Sequence, residues 1–476
     1  VTGVQTCALP IWSHSFMSSF LTELKSKTVL ILGGGVTGKS LRKYLETHAH
    51  SVVVVDEQKN QSGEIAVLTD DILARIDFAI VSPGWRRDHP FVDMLRKSNI
   101  PILSEIDFAW QVKCEIAPEQ RWIGLTGTNG KTTTIQMVAS IFEHGAINGT
   151  ACGNVGETVI DAVTHQPPFD FLALELSSFQ LEWSENARYE AGALLNIAED
   201  HIDWHGSFDN YGKAKLKLLE VSKVAIVNGD DDNAMAVVRS LNPEKIIRFT
   251  LKTPTPGTVG LVENLLIDRA FIGDGDAEVL SELSDIKPAV PHNVANALAA
   301  GALCRAIGIS SEKIQRGIKN FTLDHHRLET VLVHNEITWI NDSKATNPHA
   351  ALAALFSQLK TIWIAGGLAK GASMSELIER GSSRIKAAIL IGTDAPIIES
   401  ELKKSAPTIP IYRVGTDGSL RGKALMLAVV TKAMELAEPG DSVLLAPACA
   451  SMDQFTSYAD RGNTFAASVQ ELVAHA

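Results

Sequence analysis

Trp122-Ile123-Gly124-Leu125, running on through Thr126-Gly127-Thr128-Asn129-Gly130-Lys131-Thr132-Thr133, is the stretch that decides how this chain is read. An apolar run of strand character passes through a glycine-rich turn into a helix, which is how a phosphate-cradling loop is written in sequence. Free backbone N–H groups at the helix start, the helix dipole and a lysine all attract polyphosphate, and a threonine hydroxyl beside that lysine can join Mg²⁺. Gly127, Thr128, Asn129, Gly130, Lys131, Thr132 and Thr133 are therefore candidate ATP contacts. Lys131 is a candidate catalytic cation and Thr132 a candidate Mg²⁺ ligand. The loop departs from the common GxxxxGK[ST] form, because Leu125 stands where that pattern's first glycine belongs.

Upstream, Thr28-Val29-Leu30-Ile31-Leu32 reads as a buried strand, followed by Gly33-Gly34-Gly35-Val36-Thr37-Gly38, a helix from about Lys39 to Thr47, and a strand Ser51 to Val55 closing on Asp56. Strand, glycine turn, helix, strand is a βαβ unit, and by itself it suggests a dinucleotide such as NAD. Ala79-Ile80-Val81 then meets the breaker Ser82-Pro83-Gly84. Downstream, strands are expected at Phe171 to Leu174, Ala193 to Asn196 and Val224 to Val227, with an alanine-rich helix from Asn293 to Ala306. Beyond Phe321 come Thr361 to Ala365, Ala387 to Ile391 and Ser442 to Ala446. Strands alternating with helices predict an α/β chain of three domains built on parallel sheets, with ligands at strand C-terminal ends. The expected parts are an N-terminal Rossmann-like domain over 17–115, a central ATPase-like domain over 116–320 and a C-terminal Rossmann-like domain over 321–476. Glu115 to Gln120 reads as a linker.

At 476 residues, with 45% hydrophobic and 21% charged residues, the composition is that of a globular protein with a sizeable core. A net charge of −12 argues against non-specific nucleic-acid or membrane-surface binding. The five cysteines (Cys7, Cys114, Cys152, Cys304 and Cys449) lack metal or disulfide spacing, which fits a reducing cytoplasm. No apolar run approaches a membrane span. Val1 to Phe16 carries no basic signal-peptide region and joins no later pattern, whereas Met17 opens a natural start; residues 1–16 are expected to be foreign to the fold.

The variant phosphate loop keeps particular company. Cys152-Gly153-Asn154-Val155-Gly156, Glu175-Leu176-Ser177-Ser178-Phe179-Gln180 and His292-Asn293-Val294-Ala295-Asn296 follow it. Together these resemble the Mur ligases, cytoplasmic ATP-dependent enzymes that build the peptide stem of the bacterial cell-wall precursor. Asn341-Asp342-Ser343-Lys344-Ala345-Thr346-Asn347 and Pro447 to Phe455, with Arg461-Gly462-Asn463, look like the D-glutamate-adding members of that family.

The resemblance implies amide synthesis through an acyl phosphate, from ATP, UDP-N-acetylmuramoyl-L-alanine and D-glutamate, by a monomer. It reassigns the first glycine cluster from NAD to UDP: Gly35, Val36, Thr37, Asp56 and Gly84 become UDP-substrate contacts, joined by Asn154 and Ser177. It implies Mg²⁺, as two ions, at Thr132, Glu175, Lys215 and His201, with Lys215 carbamylated and, with Lys131 and His201, catalytic. Asn293, Asn296, Arg327 and Asp342 become ATP contacts, while Lys344, Thr346, Lys370, Ser451 and Tyr458 become the amino-acid site. Lys213, Lys215 and Lys217 could instead be one basic helix face. Two departures from the family pattern stand out. Gly366-Gly367-Leu368-Ala369-Lys370-Gly371 lacks an expected acid, and Tyr458 replaces an expected phenylalanine. An oxidoreductase explains only residues 33–56, a simple kinase or ATPase only the phosphate loop, and a non-catalytic nucleotide-binding module leaves the lysines and carboxylates idle. The DNPR-like motif of diaminopimelate- or lysine-adding relatives is absent from the sequence.

Overall fold

The computed structural model describes residues 19–57, 65–273 and 275–474; the expectation for residues 1–16 lies outside them. Within it the chain builds three β-sheets, as the strand–helix alternation predicts. The first has four parallel strands in the order Ser51–Val55, Thr28–Leu32, Phe78–Val81, Ile102–Ser104. Its strands read as continuous apolar runs because helices cover a parallel sheet on both faces. The helix after the first strand spans Val36–His48, starting three residues before the predicted Lys39. Its early start rests on Gly38: a Cβ there would lie 1.9 Å from the Gly33 carbonyl oxygen, so only glycine lets the helix begin this close to the turn.

The central sheet has nine strands, with Arg121–Thr126 flanked by Phe171–Glu175 and Tyr189–Leu194. The predicted strand at Ala193 to Asn196 is thus displaced. The paired segment is Tyr189–Leu194, and Leu195 to Ile197 leave the sheet. Leu195 N still bonds Thr126 O, and Asn196 O takes the Thr128 amide, so this exit runs along the phosphate loop. The sheets are parallel as expected, with antiparallel strands added at two edges. Thr258–Val262, Leu265–Asp268 and Glu278–Glu282 add an antiparallel meander to the central sheet, and Glu329–His334 pairs antiparallel with Ile337–Asn341 in the third. Val262 and Leu265, like His334 and Ile337, are separated by two residues, which joins antiparallel neighbours but is too short for a parallel crossover.

The six-stranded third sheet is otherwise parallel, with Ser442–Leu445 between Ile337–Asn341 and Thr361–Gly366. Contacts divide the chain into two compact units. One carries the first and central sheets, through Ile197 and again over Asp209–Phe321; the other carries Ala198–Phe208 and the third sheet from Thr322 onward.

Glu115 and Ile116 are not linker. They end the helix Glu105–Ile116, which Ser104 caps by accepting from the Asp107 amide at 2.9 Å, and Pro118 lies just past its end. Phe108, Ala109 and Val112 of this helix enter one apolar cluster with Trp122 and Leu172 of the central sheet and Val163 of the helix Val159–Thr164. Trp122 is fully buried, and its indole N–H donates to Gln120 Oε1 at 3.0 Å, which satisfies the one polar atom such burial leaves.

Gly38→Ala forces its methyl into the Gly33 carbonyl and is expected to destabilise the unit by roughly 1–3 kcal/mol. A lowered urea midpoint checks this; an unchanged midpoint would show that the turn relaxes freely.

Candidate active site

Thr126 ends the central strand with its hydroxyl donating to Leu176 O at 2.8 Å, and the chain turns through Gly127 to Gly130 into the helix Lys131–His144. Gly130 sits at φ +82°, where the left-handed turn favours glycine, and a Cβ there would strike Asn296 Oδ1 at 2.4 Å. Asn296 therefore packs directly on the loop. Asn293, one turn earlier, donates to Pro288 O at 3.0 Å. The loop is braced from the neighbouring strand by Asn196, which accepts from the Asn129 amide at 2.8 Å and donates to Asn129 O at 3.1 Å. Thr128 Oγ1 lies 3.0 Å from the Tyr211 hydroxyl. Thr132 and Thr133 are buried in the first helical turn.

Two lysines meet beneath this loop. Lys131 Nζ donates to Gly127 O at 2.8 Å and Thr128 O at 2.9 Å. Lys215 Nζ donates to the same Gly127 O at 2.9 Å, with Thr126 Oγ1 at 3.4 Å and the Tyr211 ring 4.5 Å away. The helix Phe208–Glu220 separates its three lysines by facing: Lys215 is 1% exposed, whereas Lys213 pairs with Asp209 and Lys217 with Glu182 nearer the surface. Lys215 is thus no part of a basic face.

Glu175 ends the strand on the other side of the loop strand and is 1% exposed. Asn154 Nδ2 donates to its Oε1 at 3.1 Å, while Oε2 is buried with no hydrogen-bond partner. Gly153, at φ +115°, lets the two strand ends lie this close, since a Cβ there would meet Glu175 O at 2.4 Å. Ser177 closes a capping box with Gln180 over the helix Ser178–Trp183. In the first sheet Gly35 is the N-cap of the helix Val36–His48, Val36 is 73% exposed, and Asp56 Oδ2 accepts from the Gly34 amide at 2.7 Å. Gly84 has open space where a side chain would stand.

The second unit holds the remaining candidates. Lys344 Nζ lies 3.9 Å over the Tyr458 ring, a cation–π contact that the replaced phenylalanine would also supply. Thr346 follows in the same loop, Ser451 is buried at a second loop, and Lys370 takes a left-handed φ of +51° in a third. In that third loop the Ala369 amide donates to Asp394 Oδ2 at 2.8 Å. Arg461, with 0% exposure, donates to Ser343 O and Oγ, Cys449 O and Gly366 O, tying all three loops together. Burial pushes its guanidinium down to about 10. Burial likewise pushes the Asp342 carboxyl up to about 7, against the Leu328 amide and the Arg327 guanidinium. His201 caps the short helix Ile202–His205 at φ +53°, with Asp200 Oδ2 3.5 Å from its ring.

Asn196, Gln180 and Arg461 are the residues sequence reasoning left without roles. The Ser177-x-x-Gln180 spacing is a capping-box signature and was readable. Asn196 and Arg461 act through neighbours distant in sequence, which no local pattern reports. Among the described residues no cluster of three or more His, Cys, Asp or Glu forms a metal cage, and no helix is long and apolar enough to cross a membrane.

Ionising Asp342 costs more in the folded state than in the unfolded chain. Its contribution to stability is therefore full below the ordinary value of 3.8 and is lost as pH rises through about 7. The unfolding-temperature difference between the wild type and Asp342→Asn should accordingly shift against the wild type between pH 4 and 7; a difference independent of pH would show an unperturbed carboxyl.

Residues 125–304 match the Mur ligase middle domain and residues 326–449 the Mur ligase glutamate ligase domain. The UDP-N-acetylmuramoylalanine–D-glutamate ligase of Streptomyces coelicolor is 40% identical over 474 residues, covering 95% of this chain and 99% of the relative. The protein of that name from Nocardia farcinica is also 40% identical, covering 95% and 98%. Among solved structures, MurF from Acinetobacter baumannii superposes with a TM-score of 0.59 at 18% identity, over 88% of this chain and 93% of that one. A pseudomurein peptide ligase type C from Methanothermus fervidus gives 0.58 at 17%, over 94% and 100%. The structures share the fold, and the sequence relatives share the whole length. The chain belongs to the Mur ligase family.

Proposed function

We propose that this chain adds D-glutamate to UDP-N-acetylmuramoyl-L-alanine at the cost of ATP, through an acyl phosphate, in the cytoplasmic synthesis of peptidoglycan precursor. The relatives named for that reaction match 95% of it. The observation that carries the chemistry is the convergence of Lys131 and Lys215 on the Gly127 carbonyl beneath a helix N-terminus. The substrate carboxylate, the triphosphate and glutamate are all anions, so the site's task is to neutralise and align them. Gly127 to Thr133, with Asn293 and Asn296, hold ATP; Lys131 steadies the γ-phosphate as the alanyl carboxylate attacks it. The glutamate amine then displaces phosphate, forming the amide.

Mg²⁺ fits the donors present. The unpartnered Glu175 Oε2 and the Thr132 hydroxyl supply oxygen ligands, and Mg²⁺ is ordinarily completed by phosphate oxygens and water. Bound there, it neutralises phosphate charge. Two ammonium groups on one carbonyl repel each other, which favours carbamylation of Lys215, because CO₂ uptake turns one cation into an anionic oxygen donor. Asn154 and Ser177 face the muramoyl part, and Gly35, Val36, Thr37, Asp56 and Gly84 the UDP. Arg327 and Asp342 contact ATP, and His201 serves the metal. Lys344, Thr346, Lys370, Ser451 and Tyr458 receive D-glutamate, whose two carboxylates call for cations and hydroxyl donors.

Phosphate release from ATP should require both the UDP-sugar substrate and D-glutamate in a panel of D- and L-amino acids. Turnover with L-glutamate or D-aspartate but not D-glutamate would overturn the specificity. Lys131→Ala should lower kcat by about 100-fold or more, and near-wild-type turnover would remove the phosphate-loop role. Lys215→Ala should lose activity that high formate partly restores; absence of any rescue counts against the carbamate.

A further inference from the structure

The helix Glu105–Ile116 starts where the first sheet meets the central sheet, and two acids in its first turn are buried there. Asp107 is fully used. It accepts from Ser184 Oγ and from the amides of Glu185, Asn186 and Ala187 at 2.8–3.1 Å, fixing the turn that follows the helix Ser178–Trp183. Glu105 differs. Its Oε1 accepts from Gln180 Nε2 at 2.7 Å, but its Oε2 is buried with no hydrogen-bond partner. Burial pushes the carboxyl up from the usual carboxylate value, opposed by the bond from Gln180. A buried acceptor left open opposes folding, so such a group calls for an explanation other than stability.

Its neighbours supply one. Gln180 spends its whole amide on two partners: Nε2 on Glu105, and Oε1 on the Ser177 amide at 2.9 Å and the Ser177 hydroxyl at 3.0 Å. Ser177 follows Glu175 and Leu176, and Leu176 is bonded in both directions to the phosphate-loop strand, through Leu125 O and the Thr126 hydroxyl. Glu105 thus backs, through Gln180, the Ser177 turn of the central sheet, and its helix and that turn belong to a single compact unit.

We propose that Glu105 is a positioning residue for the UDP-substrate. Through Gln180 it fixes the Ser177 hydroxyl, and with it the place where the muramoyl end of the substrate is received. This rests on the ligase reading above. It also separates Glu105 from the ATP side, since Lys131 and Asn196 hold the phosphate loop without it.

The test is steady-state kinetics with UDP-N-acetylmuramoyl-L-alanine, ATP and D-glutamate on Glu105→Ala and Glu105→Gln, alongside unfolding temperatures. Glu105→Ala should raise KM for the UDP-substrate about tenfold, by leaving Gln180 free to turn away, with KM for ATP changed less than about twofold. Glu105→Gln keeps an acceptor for Gln180 and should return most of the loss. Equal rises in both KM values, no change in either, or a fall in kcat that only tracks a lower unfolding temperature overturns the proposal. If Glu105→Ala is not recovered folded, Gln180→Glu sets two acids face to face, and the exchange Gln180→Glu/Glu105→Gln restores a donor between them. Recovery of the UDP-substrate KM in the exchange supports the role, and failure to recover overturns it. A wild type inactive with these substrates rejects the ligase reading and this proposal with it, whereas an active wild type with an unsplit Glu105→Ala rejects this proposal alone.

Discussion

The Gly127 carbonyl accepts hydrogen bonds from two lysines, and much of the first unit is arranged to make that possible. Two ammonium groups on one oxygen concentrate positive charge at the foot of the loop. The rest of the loop is held from several sides. Asn196 clamps Asn129 from both sides, Thr126 is bonded across to Leu176, and Asn296 fills the space beside Gly130. A polyphosphate therefore meets donors already in place, which is where electrostatic preorganisation acts most strongly.

The second unit reaches rigidity by another route. Arg461 is wholly buried, and its hydrogen bonds go to backbone carbonyls and a hydroxyl. Its charge is spread over three loops, and those loops carry Lys344, Lys370 and Ser451. Non-glycine residues in left-handed conformations gather here too: His326, Lys370 and Ala448 all have positive φ. Each costs about 1–2 kcal/mol, and such strain persists where surrounding bonds over-determine the backbone and tends to mark functional loops. Asn341, at 0% exposure, donates to Glu329 Oε2 and Gly462 O and lies 2.8 Å from His326 Nδ1, showing how tightly one of those positions is held.

In the first unit the polar machinery lies at the C-terminal ends of parallel strands. Glu175, Asn196 and Gly127 end or follow three adjacent strands of the central sheet, and Gly33, Asp56 and Ser82 follow three adjacent strands of the first. Strand adjacency, rather than nearness in sequence, makes a residue such as Asn196 part of the phosphate loop. The antiparallel meander at the far edge of the central sheet takes no part in this arrangement.

The sequence by itself determined the three-sheet α/β class, the phosphate loop with its lysine, and the family, because glycine turns, apolar runs and helix starts are local events written in a few adjacent residues. Thr28–Leu32 and Ser51–Val55 fall where the pattern puts them. It misjudged what depends on partners. The strand at Tyr189–Leu194 ends early because Leu195 and Asn196 are drawn off to brace a loop about 65 residues upstream. Apart from the resemblance, it could not tell Lys215 from Lys213 and Lys217, since only the packing of the helix Phe208–Glu220 buries the first, exposes the second and leaves the third half-buried. The open oxygens of Glu175 and Glu105 were likewise beyond it. Whether a buried carboxylate oxygen has a donor is a property of every side chain that surrounds it, and only the tertiary structure brings those together.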